Sequence, residues 1–213
     1  MGADEQSELV RRGYDALSYR YRSDDAGPGR YAPWLADLQE RVPAAGSILD
    51  LGCGCGVPVA RSLAEAGFRV TGVDISDVQI ERARRLVPDA TFIRADATTA
   101  SFPPDSFDAI VCLYAIIHMP LETQPGLLRQ AATWLRPGGW LLAVTGHGAL
   151  TGVDENWLGG SAQMAWSQAD AGTYRSWIEQ AGLQVITQEF VPEDDGGHAL
   201  FWARAAGSRP GTS

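Results

Sequence analysis

The chain has 213 residues, enough for one domain with elaborations, and its 45% hydrophobic and 20% charged content describes a globular chain rather than a disordered one. Its 26 acidic residues outnumber 17 basic ones, and a net charge of −9 repels phosphate backbones and so argues against a nucleic-acid partner. Every basic residue is Arg, so no lysine amine exists for Schiff-base or pyridoxal chemistry.

Residues 4–22 and 31–42 read as two helices, and 1–45 as a helical cap. A short apolar strand follows at 47–51. Residues 57–66 form a helix closed by Gly67. Residues 68–73 are a strand, 76–87 a helix with Ser76 as N-cap, and 91–94 a strand. Residues 107–113 are almost uninterruptedly apolar, the pattern of a parallel strand buried on both faces. A helix at 122–135 is stopped by Pro137-Gly138-Gly139, and 140–145 is the next strand. The segment 147–170 has no clear periodicity and carries Trp157 and Trp166; at that length it reads as an inserted lid. A helix at 170–181 leads to strand 183–191, and 192–197 turns the chain into strand 198–205. The tail 207–213, rich in Gly, Pro and Ser, reads as flexible.

Repeated strand–helix units predict an α/β fold: a Rossmann-like, doubly wound sheet of seven strands with helices on both faces. The sheet is mostly parallel, with an antiparallel last strand, because a short turn between two strands forces a hairpin. A single domain over 1–206 is expected. Three cysteines make no disulfide framework and read as cytoplasmic. The polar, acidic start shows no secretory h-region, and no apolar run approaches the ~20 residues of a membrane span. No membrane partner is expected, and the state is read as monomer or homodimer.

The densest motif is Ile48-Leu49-Asp50-Leu51-Gly52-Cys53-Gly54-Cys55-Gly56, between the first strand and the next helix. Glycines there let backbone approach a ligand closely and aim helix N–H groups at it. Asp74 ends the second strand, where an acid binds a ribose diol. A dinucleotide loop also wants a third glycine at the sixth position; counted from Gly52 or from Gly54, that position holds Val57 or Val59. Asp50 at the loop mouth opposes a pyrophosphate but suits an ammonium. The ligand indicated is a nucleoside with a zwitterionic tail. Cys53 and Cys55 lack further ligands at metal-binding spacing, and no metal is expected.

The glycine loop, Gly72-Val73-Asp74-Ile75-Ser76, Ala95-Asp96-Ala97, Phe107-Asp108-Ala109-Ile110-Val111 and Leu135-Arg136-Pro137-Gly138-Gly139 follow one another in order and spacing. Over about residues 10–205 the chain resembles the class I S-adenosylmethionine-dependent methyltransferases, in the style of the small-molecule, secondary-metabolism enzymes. The resemblance implies S-adenosyl-L-methionine as cofactor and S-adenosyl-L-homocysteine as product. It implies Asp50, Gly52, Cys53 and Gly54 around the methionine moiety. Asp74 would take the ribose, with Gln79 reaching it from the next helix and Ile75 against the adenine. Asp96 and Ala97 would meet the adenine edge, and Leu113 would lie beneath the cofactor. Tyr14 and Tyr21 would cap its carboxylate.

Ligands in open α/β sheets lie beyond the carboxyl ends of the parallel strands. That places all three histidines, His118, His147 and His198, on the chemical face, each a candidate general base. Tyr114, His118, Trp157, Met164 and Trp166 are the candidate lining for a small aromatic or apolar acceptor. The acidic turn 193–195 is read either as attracting an amine or as solvated. The activity expected is metal-independent methyl transfer to O or N of a small metabolite. The alternatives are a C-methyltransferase, or a non-methylating reaction such as cyclisation on the same fold.

Overall fold

The computed structural model describes residues 1–193 and 196–207. Helix α1 (Ala3–Tyr21) buries Gln6, Val10, Gly13 and Ser18, positions three to five apart and so on one face. A 3₁₀ turn at Gly29–Tyr31 leads into α2 (Ala32–Arg41), which buries Leu35 and Leu38 and has Pro in its first turn, where no N–H is missed. The alternation then runs β1 (Ser47–Leu51), α3 (Val59–Glu65), β2 (Arg69–Asp74), α4 (Asp77–Leu86), β3 (Thr91–Arg94), β4 (Phe107–Leu113), α5 (Gln124–Trp134) and β5 (Leu135–Gly146). The remaining elements are β6 (Leu150–Asp154), β7 (Met164–Gln168), α6 (Ala171–Gln180), β8 (Leu183–Glu193) and β9 (Gly196–Ala205).

Seven strands form one sheet in the order β3-β2-β1-β4-β5-β9-β8. The first five are parallel; β9 enters antiparallel to β5, from Trp140 opposite Arg204 to Gly146 opposite His198. Side chains on alternate positions serve two cores, as the pleat requires. In β4, Ile110 and Cys112 pack with α5 and α6, whereas Ala109 and Val111 pack on the side of α2, α3 and α4. A third cluster, Val10, Trp157, Met164 and Ala165, lies between α1 and the β6–β7 ribbon.

The expected fold class holds, and five segments depart from the expected boundaries or structure. The helix expected from 57 begins at Val59, and the one expected at 122–135 is preceded by a 3₁₀ turn at Leu121–Thr123. Strand β5 starts at Leu135 rather than 140, because Leu135 pairs with Phe107 across an irregularity that absorbs Pro137-Gly138-Gly139. Segment 147–170 is not aperiodic: β6 and β7 pair as a separate antiparallel ribbon. Every residue of β6 is exposed while β7 is mostly buried, so only one strand carried an apolar signal. The β8–β9 ladder runs on to Glu193 opposite Gly196, past the expected strand end at 191. Asp194 and Asp195, and residues 208–213 of the expected tail, lie outside the described residues.

The cap is fastened to α4 by polar side chains. Ser76 Oγ, the N-cap of α4, accepts from Gln79 N and donates to Asp15 Oδ1 at 2.6 Å. Val78 N donates to the same oxygen at 3.2 Å, so Asp15 adds a carboxylate at the positive end of α4. Ser18 Oγ donates to Gln79 Oε1 at 2.8 Å and accepts from Arg82 Nη1 at 2.6 Å. Arg82 is buried and also binds Asp24 Oδ1 at 2.5 Å and the Arg22 carbonyl at 2.7 Å.

Candidate active site

The first cavity, about 660 Å³, opens beyond the carboxyl ends of β1, β2 and β4. Gly52, Gly54, Asp74, Ile75, Asp96, Ala97 and Leu113 line it from the sheet, and Tyr14 and Tyr21 from the cap. A smaller space of about 410 Å³ continues it past Gly52, Gly54 and Leu113 to Asp50, Cys53 and Arg22. The loop is pinned because Gly52 N and Cys53 N both donate to the Val73 carbonyl, at 2.8 and 3.0 Å. Gly52 has φ +73°, and a Cβ there would come within 2.2 Å of the Ala115 Cβ. Only glycine lets the loop pass that close to the residues following β4.

Three carboxylates face this space in different states. Asp74 Oδ2 accepts from Gly54 N at 2.8 Å and Oδ1 from Ser76 N at 2.9 Å. Burial outweighs those bonds and lifts its pKa to about 6. Each oxygen keeps a second lone pair for a ligand hydroxyl. Asp96 Oδ1 accepts from Thr98 N and Oγ1 at 2.8 and 2.7 Å, which fixes the carboxylate at the cavity wall. Asp50 is buried, and its Oδ2 has no hydrogen-bond partner among the described residues. Desolvation, then the nearby Asp74, raises its pKa to about 7. An unpaired buried carboxylate oxygen is costly, and a ligand ammonium would satisfy it. A nucleoside carrying an amino acid and a positive sulfur fits this donor set: acids at 50, 74 and 96, an apolar bed from Ile75 and Leu113, and Arg22 at the amino-acid end.

The second cavity, about 940 Å³, lies over the first and shares Tyr14, Tyr21, Tyr114 and His118 with it. Trp157 and Trp166 wall one side. Trp157 packs edge-on to Tyr14, with ring centres 5.0 Å apart, and Trp166 lies 5.5 Å from the His118 ring. Tyr114 adopts a left-handed backbone at φ +64°, a strained conformation for a tyrosine. Its hydroxyl accepts from Arg30 Nη1 at 3.3 Å.

The histidines separate into three roles. His118 is buried where the two cavities meet, and its Nδ1 lies 2.9 Å from the Ala165 carbonyl. A carbonyl only accepts, so Nδ1 carries the proton and Nε2 keeps its lone pair. Burial holds the pKa down at about 4, so the ring is neutral at pH 7. His198 lines the second cavity, but its Nδ1 faces the Thr145 carbonyl at 3.2 Å and its Nε2 faces Glu193 Oε2 at 3.0 Å. With both nitrogens turned to oxygen acceptors, neither offers a lone pair to a substrate. His147 is exposed, packs edge-on against Phe190 with ring centres 4.6 Å apart and lines neither cavity.

Other expectations also move. Met164 is fully buried in the cluster beneath α1 and does not line the second cavity. Gln79 is buried behind the glycine loop, held by Ser18, rather than in the cavity wall. Glu193 is not a free carboxylate for an amine, because it binds Arg30 Nη1 at 2.7 Å as well as His198. The sequence reading missed Arg22, Arg30 and Tyr31. They sit in or beside the connection between α1 and α2, where no periodic pattern marks them. Arg22 lies over the Tyr21 and Tyr31 rings at 5.4 and 5.6 Å. Among the described residues no group of His, Cys, Asp and Glu gathers into a metal-binding cluster. No helix among them is long and apolar enough to cross a membrane.

A parallel sheet with one reversed strand, and a nucleoside–amino-acid cavity at its carboxyl end, define the class to which comparison with known proteins also leads. A family model described as a methyltransferase domain matches residues 48–139. Methyltransferase GfsG of Streptomyces halstedii is 31% identical over 211 residues, covering 89% of this chain and 74% of that protein. The 27-O-demethylrifamycin SV methyltransferase of Amycolatopsis mediterranei is 32% identical over 162 residues, covering 70% of this chain and 58% of that protein. Among solved structures, the Burkholderia thailandensis 1,6-didemethyltoxoflavin-N1-methyltransferase bound to its substrate and S-adenosylhomocysteine superposes with a TM-score of 0.74. It is 17% identical, over 97% of this chain and 91% of that one. The chain belongs to the class I S-adenosylmethionine-dependent methyltransferases, in their small-molecule subgroup.

Proposed function

We propose that the enzyme transfers the methyl group of S-adenosylmethionine to an oxygen or nitrogen of a small, aromatic or apolar metabolite, by metal-independent in-line displacement. The observation that carries this reading is the junction at His118, where a cavity fitted to the cofactor meets an aromatic-walled one. The relative that methylates 27-O-demethylrifamycin SV supports a hydroxyl acceptor of natural-product type.

S-adenosylmethionine, when bound, supplies an electrophilic methyl group on a positively charged sulfur. Asp50 and Arg22 hold its amino acid, Asp74 the ribose, Asp96 and Ala97 the adenine edge, and Ile75 and Leu113 its faces. Tyr14 and Tyr21 close the cavity from the cap, backed by Trp157 from the β6–β7 connection, and exclude water, which leaves positioning as the main source of rate. The acceptor hydroxyl donates to His118 Nε2, and the Ala165 carbonyl keeps that nitrogen unprotonated. As the acceptor oxygen bonds to carbon its proton becomes strongly acidic, so even a weakly basic imidazole receives it.

The test incubates the protein with S-adenosylmethionine and a panel of hydroxylated aromatic and polyketide-like phenols. Products gain one methylene, with S-adenosylhomocysteine formed in step. Conversion without that gain would instead favour the non-methylating alternative. In His118→Asn the amide still donates to Ala165 but Nε2 is lost. Its kcat falls about 10²-fold while S-adenosylhomocysteine affinity is retained.

A further inference from the structure

Besides His118, the second cavity is lined by the polar side chains of Arg30, Tyr31, Tyr114, Glu193 and His198. Glu193 is spent, holding Arg30 Nη1 through Oε1 at 2.7 Å and facing His198 Nε2 through Oε2 at 3.0 Å. His198 is spent in turn, with its other nitrogen on the Thr145 carbonyl. The Tyr114 hydroxyl accepts from Arg30, which leaves its own O–H to donate. The Tyr31 hydroxyl accepts from Arg22 Nη2 at 3.2 Å and likewise keeps its O–H. Arg22 is committed to the cofactor's amino acid under the proposed function, whereas Arg30 has N–H groups beyond the one used. The unspent polar groups left for an acceptor at this polar end are therefore donors, on Arg30, Tyr114 and Tyr31.

We infer that the acceptor is a hydroxylated aromatic acid: its carboxylate, or an equally acidic enol, is read by Arg30 and Tyr114 while its hydroxyl is presented to His118. This rests on the proposed function and adds the class of acceptor. Glu193 holds Arg30 and is itself faced by His198, so both are positioning residues until an anion shares the guanidinium. Recognition of a planar anion by a guanidinium is the geometry that Arg favours.

The test uses 6-hydroxy-2-naphthoate and its neutral amide, titrated by tryptophan fluorescence with and without S-adenosylhomocysteine. The acid binds at least tenfold more tightly than the amide to the wild-type protein. The preference shrinks with added salt, collapses to near unity in Arg30→Gln and is only partly restored in Arg30→Lys. Arg30 is half-exposed, and S-adenosylhomocysteine affinity reports that each variant is folded. Equal binding of acid and amide, no binding of either, or an undiminished preference in Arg30→Gln overturns the inference. Failure of S-adenosylhomocysteine to bind the wild-type protein overturns the cofactor assignment instead, because the acid-to-amide ratio is read without it as well.

Discussion

The two cavities share a wall but are built differently. The cofactor cavity is a product of the sheet: its carboxylates and glycines sit at the ends of β1 and β2 and just past β3, held by backbone bonds from Gly52, Gly54 and Ser76. The acceptor cavity is assembled from the α1–α2 connection, the turn after β4, the ribbon and the tip of the β8–β9 hairpin, which meet through side chains. A sheet edge imposes geometry on a contiguous motif, whereas an assembly of loops depends on pairs far apart in the chain.

That contrast can be broken at several points. The largest effect is expected at Gly52→Val, where the side chain would collide with Ala115 and a branched residue would hold φ +73°. The strain is about 2 kcal/mol or more, and calorimetry should detect no binding of S-adenosylhomocysteine. Tight binding by this variant would mean that the loop does not run where it is described.

Arg82→Met comes next. It removes a buried guanidinium from Ser18, Asp24 and the Arg22 carbonyl, at a cost of about 2–3 kcal/mol in denaturant unfolding. The α1 segment should also become more sensitive to protease than the sheet. Loss of stability without that selectivity would show that cap and sheet unfold as one unit.

A smaller effect follows pH. The Asp50 pKa is raised from 3.8 to about 7, so its contribution to stability is complete below about 4 and is lost as pH rises through about 7. The unliganded protein should melt lower at pH 8 than at pH 5 by more than Asp50→Asn does. S-adenosylmethionine, being cationic, should bind more tightly as pH climbs through the same window, by at most about tenfold per pH unit. A flat binding profile would remove Asp50 from the contact. The smallest effect belongs to His147→Ala, which should change stability by no more than about 0.5 kcal/mol and leave kcat/KM unaltered.

The difference in construction also decides what could be read from the sequence. The succession of strands along the chain, the reversed β9 and the three carboxylates were legible because glycine loops, β-branched runs and turn residues are local signals. The β6–β7 ribbon was not, because β6 is exposed at every position and carries no apolar period. Placing His147 and His198 on the correct edge of the sheet was possible from topology, yet their roles depended on partners invisible in a linear reading. Phe190 takes the ring of one, and Glu193 and Thr145 take both nitrogens of the other. Met164 looked like lining because of its residue type, but the approach of α1 at Gly13 buried it. Arg30 acquires meaning only from a carboxylate 163 positions away.

The β8–β9 ladder continues to Glu193 opposite Gly196, so the group that anchors Arg30 is carried on the tip of the sheet's outermost hairpin. Arg30 and Glu193 are partly exposed, but Tyr31 in the same turn as Arg30 is buried and lines the smaller space beside Asp50 and Gly52. Exchanging the side chains at 30 and 193 as a pair, rather than the turn that carries Arg30, is therefore the change that would retailor the polar end of the second cavity and leave the loop under the methyl donor alone.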